Sequence, residues 1–296
     1  MATALHRALP FRPLLPPKSC SIPRKPFFSS PAMAASATSS SSGDDVEQIK
    51  VELDVKEEVE KKERKVFVAG STGRTGKRIV EQLLSRGYGV RAGAVDLEKA
   101  RSRLPQDPKL LIVKADVTKG SEELAEAIGD AEAVICATGF RYSWDIFAPW
   151  KVDNFGTVNL VEACRKIGVN RFILVSSILV NGAAMGQILN PAYIILNVFG
   201  LTLVAKLQAE QYIRRSGINY TIIRPGGLRD EPPTGNIIME PEDTLYDGSI
   251  SRDQVAEAAV EALFCPDAFY KVVEIVSRAE APKIPLKDLF GAIRQK

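Results

Sequence analysis

The stretch Lys65-Val66-Phe67-Val68-Ala69-Gly70-Ser71-Thr72-Gly73-Arg74-Thr75-Gly76 decides the fold. An apolar run passes directly into three glycines at spacing GxxGxxG, and the residues from Gly76 to about 86 then follow a helical period. The first glycine permits a tight turn, the second lets backbone approach a pyrophosphate, and the third allows close packing of helix on strand. The helix N-terminus adds N–H donors and partial positive charge. Gly70, Ser71, Thr72, Gly73, Arg74, Thr75 and Gly76 are therefore candidate dinucleotide-binding residues. The competing reading is a glycine-rich turn that holds no ligand.

Outward from this loop, apolar runs alternate with helical periods. Strands are predicted at 65–70, 89–94, 110–114, 132–137, 171–176, 219–224 and 270–276. Helices are predicted near 76–86, 97–103, 121–128, 152–167, 202–216, 252–264 and 286–294. Strands rich in Val and Ile and separated by helices imply an α/β domain with a Rossmann-like, doubly wound parallel sheet covered on both faces. Residues 65–296 suffice for one such domain, and no Pro/Gly/Ser linker divides them.

The front of the chain reads as an address. Residues 1–43 hold five basic residues, nine serines and seven prolines but no acid, the composition of a chloroplast transit peptide rather than a secretory signal. Residues 44–64 carry net charge −4 and read as a charged linker or solvated helix. The overall +3 then leaves only +2 for residues 65–296, too little for the basic footprint of nucleic-acid binding. The sole histidine is His6, inside the expected leader. The cysteines Cys20, Cys136, Cys164 and Cys265 form no CxxC pair. A histidine-dependent hydrolase, a His-ligated metal and a disulfide framework are thereby disfavoured, and no metal site is expected.

The run VFVAGSTGRTGKRIVEQLL resembles the opening of atypical short-chain dehydrogenase/reductases, in the NAD(P)-binding branch with biliverdin/flavin reductase-like and NmrA-like proteins. The resemblance continues through Ala115-Asp116-Val117, Cys136-Ala137-Thr138-Gly139, Val152-Asp153-Asn154-Phe155-Gly156-Thr157, Val175-Ser176-Ser177, Arg224-Pro225-Gly226-Gly227 and Ile250-Ser251-Arg252-Asp253. Within that branch the chain is similar to a plant plastid group related to flavin reductases. The resemblance implies that Gly70 to Gly76 hold the pyrophosphate and that Asp116 and Val117 flank the adenine. It places Ala137, Thr138 and Gly139 beside the ribose and nicotinamide, with Pro225 and Gly226 at the nicotinamide amide. A capping role is the alternative for Asp116.

At the end of the second strand the chain reads Arg91-Ala92-Gly93-Ala94-Val95-Asp96, with Val95 where related sequences often carry Arg. Asp96 reads as the N-cap of the next helix. Arg74 and Arg91 are the guanidinium candidates for a 2′-phosphate, so NADP is favoured over NAD.

The family's Tyr-x-x-x-Lys is incomplete. Lys206 fits the lysine position and is a candidate to hold the ribose, but Thr202 stands where the tyrosine belongs. Ser177, with Ser176, is the candidate active-site hydroxyl, capping at a strand end being the alternative. Tyr193 reads either as a loop residue entering the site or as core. Without the tyrosine, the resemblance to flavin reductases implies direct hydride transfer to a planar acceptor, a flavin, quinone or tetrapyrrole. The rival is a non-catalytic NADP(H)-binding redox sensor or scaffold.

Three other segments bear on the acceptor. Residues 140–150 hold five aromatics in eleven positions, including both tryptophans, and follow a parallel strand at its ligand-binding end. They serve either acceptor stacking or packing. No charge occurs at 172–205, which is read as buried strand and substrate-side helix, with contact to a thylakoid or plastoglobule lipid surface as the alternative. The stretch Gly227–Asp247, rich in Pro and Gly, is expected to act as a lid.

Overall fold

The computed structural model describes residues 64–139, 145–198 and 200–295. The expected leader, most of the charged linker and residues 140–144 of the aromatic loop lie outside the described residues.

The first strand, β1 (Lys65–Ala69), leads through the glycine loop into α1 (Arg74–Ser85). Then come β2 (Gly89–Ala94), α2 (Leu97–Arg103), β3 (Leu110–Lys114), α3 (Ser121–Ile128), β4 (Ala133–Cys136) and α4 (Gly156–Ile167). The second half holds β5 (Arg171–Val175), α5 (Pro191–Val198), α6 (Thr202–Arg215), β6 (Asn219–Pro225) and β7 (Gly227–Arg229). It closes with β8 (Asn236–Pro241), β9 (Ser249–Ser251), α7 (Arg252–Ala262), β10 (Lys271–Arg278) and α8 (Leu286–Ala292).

Among the described residues the main sheet runs β3-β2-β1-β4-β5-β6-β10-β8, and β7 and β9 form a small parallel pair. All neighbours in the main sheet are parallel except β8, which runs antiparallel to β10. The chain leaves β1 toward β2 and β3 on one side, then returns to place β4 on the other. This reversal opens a crevice beyond the carboxyl ends of β1 and β4.

Alternation along β1 explains its unbroken apolar run. Val66 and Val68 enter one core with Ile79 and Leu83 of α1 and Val255 and Ala259 of α7. Phe67 and Ala69 enter the opposite core with Leu124 of α3, Leu160 of α4 and Ile213 of α6. A strand buried on both faces has no polar side to show.

Two expectations need correction. The segment Gly227–Asp247 is not a continuous lid: β8 within it is an edge strand of the main sheet, paired from Asn236↔Arg278 to Pro241↔Val273. The helix expected from residue 152 is preceded by a wide π-helical turn, Trp150–Phe155, and regular α-geometry begins at Gly156.

Candidate functional site

The glycine loop sits at the reversal point. Gly70 has φ +76°, and a Cβ there would stand 2.8 Å from the Ala137 carbonyl oxygen. A Cβ on Gly76 would fall 2.2 Å from the Gly70 carbonyl oxygen, so this glycine is what lets α1 start so close to the strand. Gly73 occupies the N-cap of α1 in extended conformation, and no side chain caps the helix. Ser71 is buried and donates its hydroxyl to the Gly93 carbonyl (2.8 Å), tying the loop to β2. Gly70, Thr72, Gly73, Arg74 and Thr75 line a cleft of about 870 Å³, whereas Ser71 and Gly76 support it from behind. A backbone cradle with an uncapped helix N-terminus fits a pyrophosphate.

Asp116 and Val117 line one end of this cleft. Asp116 also caps its own turn, accepting from the Thr118 N–H (2.9 Å) and hydroxyl (2.7 Å). Asp96 is the N-cap of α2, as its position implied, and accepts from the Lys99 N–H (3.0 Å). The next turns of α2 bring Lys99 and Arg103 into the cleft wall, and Arg103 donates to the Thr72 carbonyl (3.3 Å). These two cations escaped the motif reading; their signal was the i, i+4 spacing behind an N-cap. Arg91 is not brought to the cleft. Its Nε donates to the Ala127 carbonyl (3.0 Å) and its guanidinium faces Asp130 (3.5 Å).

Arg74 does reach the cleft mouth, where Asp230 binds it (2.5 Å) together with Arg252 (3.0 Å) and Arg78 (3.5 Å). Burial, then repulsion from Arg74, pushes the Arg252 guanidinium below its ordinary range. Arg78 is shared with Asp253 (3.0 Å), so three arginines on two carboxylates leave one positive charge in surplus beside the loop.

The opposite end is formed by Ala137, Thr138 and Gly139 after β4, Val175 at the end of β5 with Ser176 and Ser177 after it, and Leu196, Thr202 and Lys206. Lys206 Nζ lies 2.7 Å from the buried carboxylate of Asp153. Burial alone would push this lysine down, but Asp153 overrides it and holds the ammonium above its ordinary range. Ser176 donates to Glu210 (2.5 Å), which is gripped in turn by the buried Arg224. Burial pushes the Cys136 thiol up.

Pro225 and Gly226 do not line the cleft. Gly226 packs under it, donating to the Ile275 carbonyl (2.9 Å), and Leu228 takes the wall position instead. Tyr193 lies against Gly182 and a small apolar cluster with Ile178 and Leu203, not in the cleft.

The chain matches a family model described as NAD(P)H-binding over residues 70–266. It is 72% identical to an uncharacterized chloroplastic protein of Arabidopsis thaliana, over 79% of this chain and 84% of that one. It is 38% identical to the chloroplastic protein TIC 62 of Pisum sativum over 77% of this chain, but spans only 46% of that longer relative. Among solved structures, the oxidoreductase ylbE of Lactococcus lactis superposes with a TM-score of 0.65 at 29% identity, covering 77% of this chain and 96% of that one.

Proposed function

This chain belongs to the NAD(P)H-binding family, and we propose from that footing that it is a plastid NADPH-dependent reductase acting on a planar acceptor, a flavin, quinone or tetrapyrrole. The carrying observation is the floor of the cleft. Among the described residues the family-matched ionisable group there is Lys206, held by Asp153, and Thr202 occupies the place of the acidic hydroxyl. A site without that hydroxyl suits an acceptor that takes hydride directly and draws its proton from solvent, so that orientation does the chemistry.

The roles of the residues follow from their positions. The glycine loop and the α1 N-terminus bind the pyrophosphate, with Arg74 and Arg252 adding charge. Lys99 and Arg103 face the adenosine side, where a 2′-phosphate would favour NADP over NAD. Asp116 and Val117 flank the adenine. Lys206 donates to the ribose, and Ser177 and Thr138 orient the acceptor edge. When bound, the reduced nicotinamide supplies the hydride. Val152, Val175, Leu196 and Leu228 give this end of the cleft apolar walls, which suit a planar ring. The relatives named chloroplastic and the acid-free leader support a plastid location.

The acceptor's access involves α5. None of its residues is buried, although its sequence Pro-Ala-Tyr-Ile-Ile-Leu-Asn-Val is apolar, and its Leu196 lines the cleft. We assign this face to peripheral contact with a lipid surface; no single helix among the described residues is long and apolar enough to cross a membrane.

The test is NADPH oxidation by residues 44–296 with a panel of flavins, quinones and tetrapyrroles. Turnover with at least one acceptor is expected. NADPH binding without turnover on any acceptor would support the competing reading, a redox sensor, for which the acidic 44–64 segment is the separate motive.

A further inference from the structure

Lys206 is fixed by Asp153, which lies in the run 152–157 that carries the resemblance but is given no role there. Asp153 lies on the π-helical turn Trp150–Phe155, and its side chain is completely buried (0% exposed), with its carboxylate 2.7 Å from Nζ of Lys206, itself 15% exposed at the cleft floor. The turn holds this buried carboxylate just before α4 begins. Thr157 on α4 secures it, donating its hydroxyl to the Asp153 carbonyl (2.9 Å). π-Turns of this kind recur at functional sites.

Among the described residues, three titratable groups act on Lys206. Asp153 faces it from the π-turn, the Cys136 thiol from the end of β4, and Glu210 from the next turn of α6. Glu210 is already engaged by Arg224 through three hydrogen bonds of 2.7–3.1 Å and by Ser176. Burial keeps the Cys136 thiol protonated at neutral pH. Direct compensation of the lysine therefore falls to Asp153 alone among these three.

We propose that Asp153 is a positioning residue that fixes the Lys206 ammonium at the ribose side of the dinucleotide cleft. The inference rests on the assignment of Lys206 to the ribose. Without the carboxylate, a nearly buried ammonium loses its partner, and burial then favours the neutral amine. A group whose pKa has fallen is charged only below its new value. Dinucleotide binding that needs the charge must then be strong at low pH and fade as pH rises. With Asp153 in place, Lys206 stays charged throughout the neutral range, and binding is flat there.

The experiment is NADPH fluorescence titration of the full chain between about pH 7 and about pH 9, above the titration of the dinucleotide's own 2′-phosphate, for the wild type, Lys206→Met, Asp153→Asn, Asp153→Glu and the double variant Lys206→Met/Asp153→Asn. The wild type should show a flat profile. Asp153→Asn should bind about tenfold more weakly at the alkaline end, a difference of ~1.4 kcal/mol, and recover toward low pH. Asp153→Glu should restore the flat profile with a weaker constant, because charge returns but reach changes. In the Lys206→Met background, Asp153→Asn should add no further loss, since the residue acts through the lysine. A pH-flat Asp153→Asn with wild-type affinity, or an additive loss in the double variant, overturns the inference. Should Asp153→Asn fail to fold by circular dichroism, Asp153→Glu decides, and an affinity equal to wild type overturns the proposal. Wild-type affinity in Lys206→Met would instead remove the ribose assignment, a separate failure.

Discussion

Gly76 illustrates how a single missing methyl group makes the site. Its notional Cβ falls 2.2 Å from the Gly70 carbonyl oxygen, a backbone atom that cannot step aside without moving the loop. Gly76→Ala is expected to cost about 1–3 kcal/mol by overpacking and to weaken NADPH binding at least about tenfold, ~1.4 kcal/mol. Urea unfolding and fluorescence titration measure the two losses; an alanine variant with wild-type affinity would refute the cradle. Charge on α2 makes a second residue-scale claim. Arg103→Ala should weaken NADPH binding about tenfold, as expected for loss of one charge-assisted phosphate contact, while leaving NADH unchanged. Equal loss for both cofactors would assign Arg103 to holding Thr72 instead. The glycines were legible because only glycine satisfies their steric demand. Lys99 and Arg103 were not, because a lysine and an arginine on a short helix look the same whether they face solvent or a cleft. Arg91 shows the converse: correct residue type on the right strand, yet β2 alternation turns its side chain toward Ala127 and Asp130.

Among the elements, α7 depends on a residue distant in sequence. Arg171, at the start of β5, donates to the Leu263 carbonyl (2.9 Å) and to that of Ala262, satisfying backbone groups orphaned at the helix end. It also bonds Thr221 (2.6 Å) and Asn219 (3.0 Å) and covers the Phe269 ring at 4.5 Å, and among the described residues no carboxylate pairs with it. Arg171→Met keeps the packing and removes the donors. It should destabilise the domain by about 2–4 kcal/mol and leave the NADPH dissociation constant of the folded fraction unchanged. A urea midpoint within error of wild type would show that water replaces these bonds. Seven strands of the main sheet were readable from apolar runs bounded by turn residues. The short strands β7 and β9 and the edge strand β8 were not, since three residues carry no period and β8 sits among prolines, glycines and acids that read as loop. The π-turn was equally hidden: its residues have helical composition, and its packing against α6 is a contact that composition does not carry.

At the scale of the molecule, the uncharged stretch from 172 to 205 divides in a way that composition could not show. Its first part is core: Phe172, Ile173 and Leu174 in β5, then Ile178, Leu179 and Val180. The stretch from Ile188 to Leu201 is largely surface, before Leu203 and Ala205 return to the core. Leu189 is 85% exposed, Ile195 59% and Val198 62%, with Ile188, Ile194 and Leu201 also uncovered. Gly200 brings this face against the other apolar surface, for a Cβ there would meet the Ile146 carbonyl at 2.2 Å, and Ile146 and Phe147 are exposed too. A continuous apolar surface beside the open end of the cleft is costly in water and suits a lipid monolayer, from which an apolar acceptor could enter past Leu196. Ile195→Glu/Val198→Glu places two carboxylates on that face without touching the cleft lining. The wild-type chain should float with neutral phospholipid vesicles, and the double variant should stay in the soluble fraction, a loss of about tenfold or more in partitioning, given roughly 2 kcal/mol of burial for each aliphatic side chain. NADPH affinity should be the same in both proteins. Flotation that survives the two glutamates would place the lipid contact elsewhere, and loss of NADPH binding would show that α5 supports the cleft instead of the membrane.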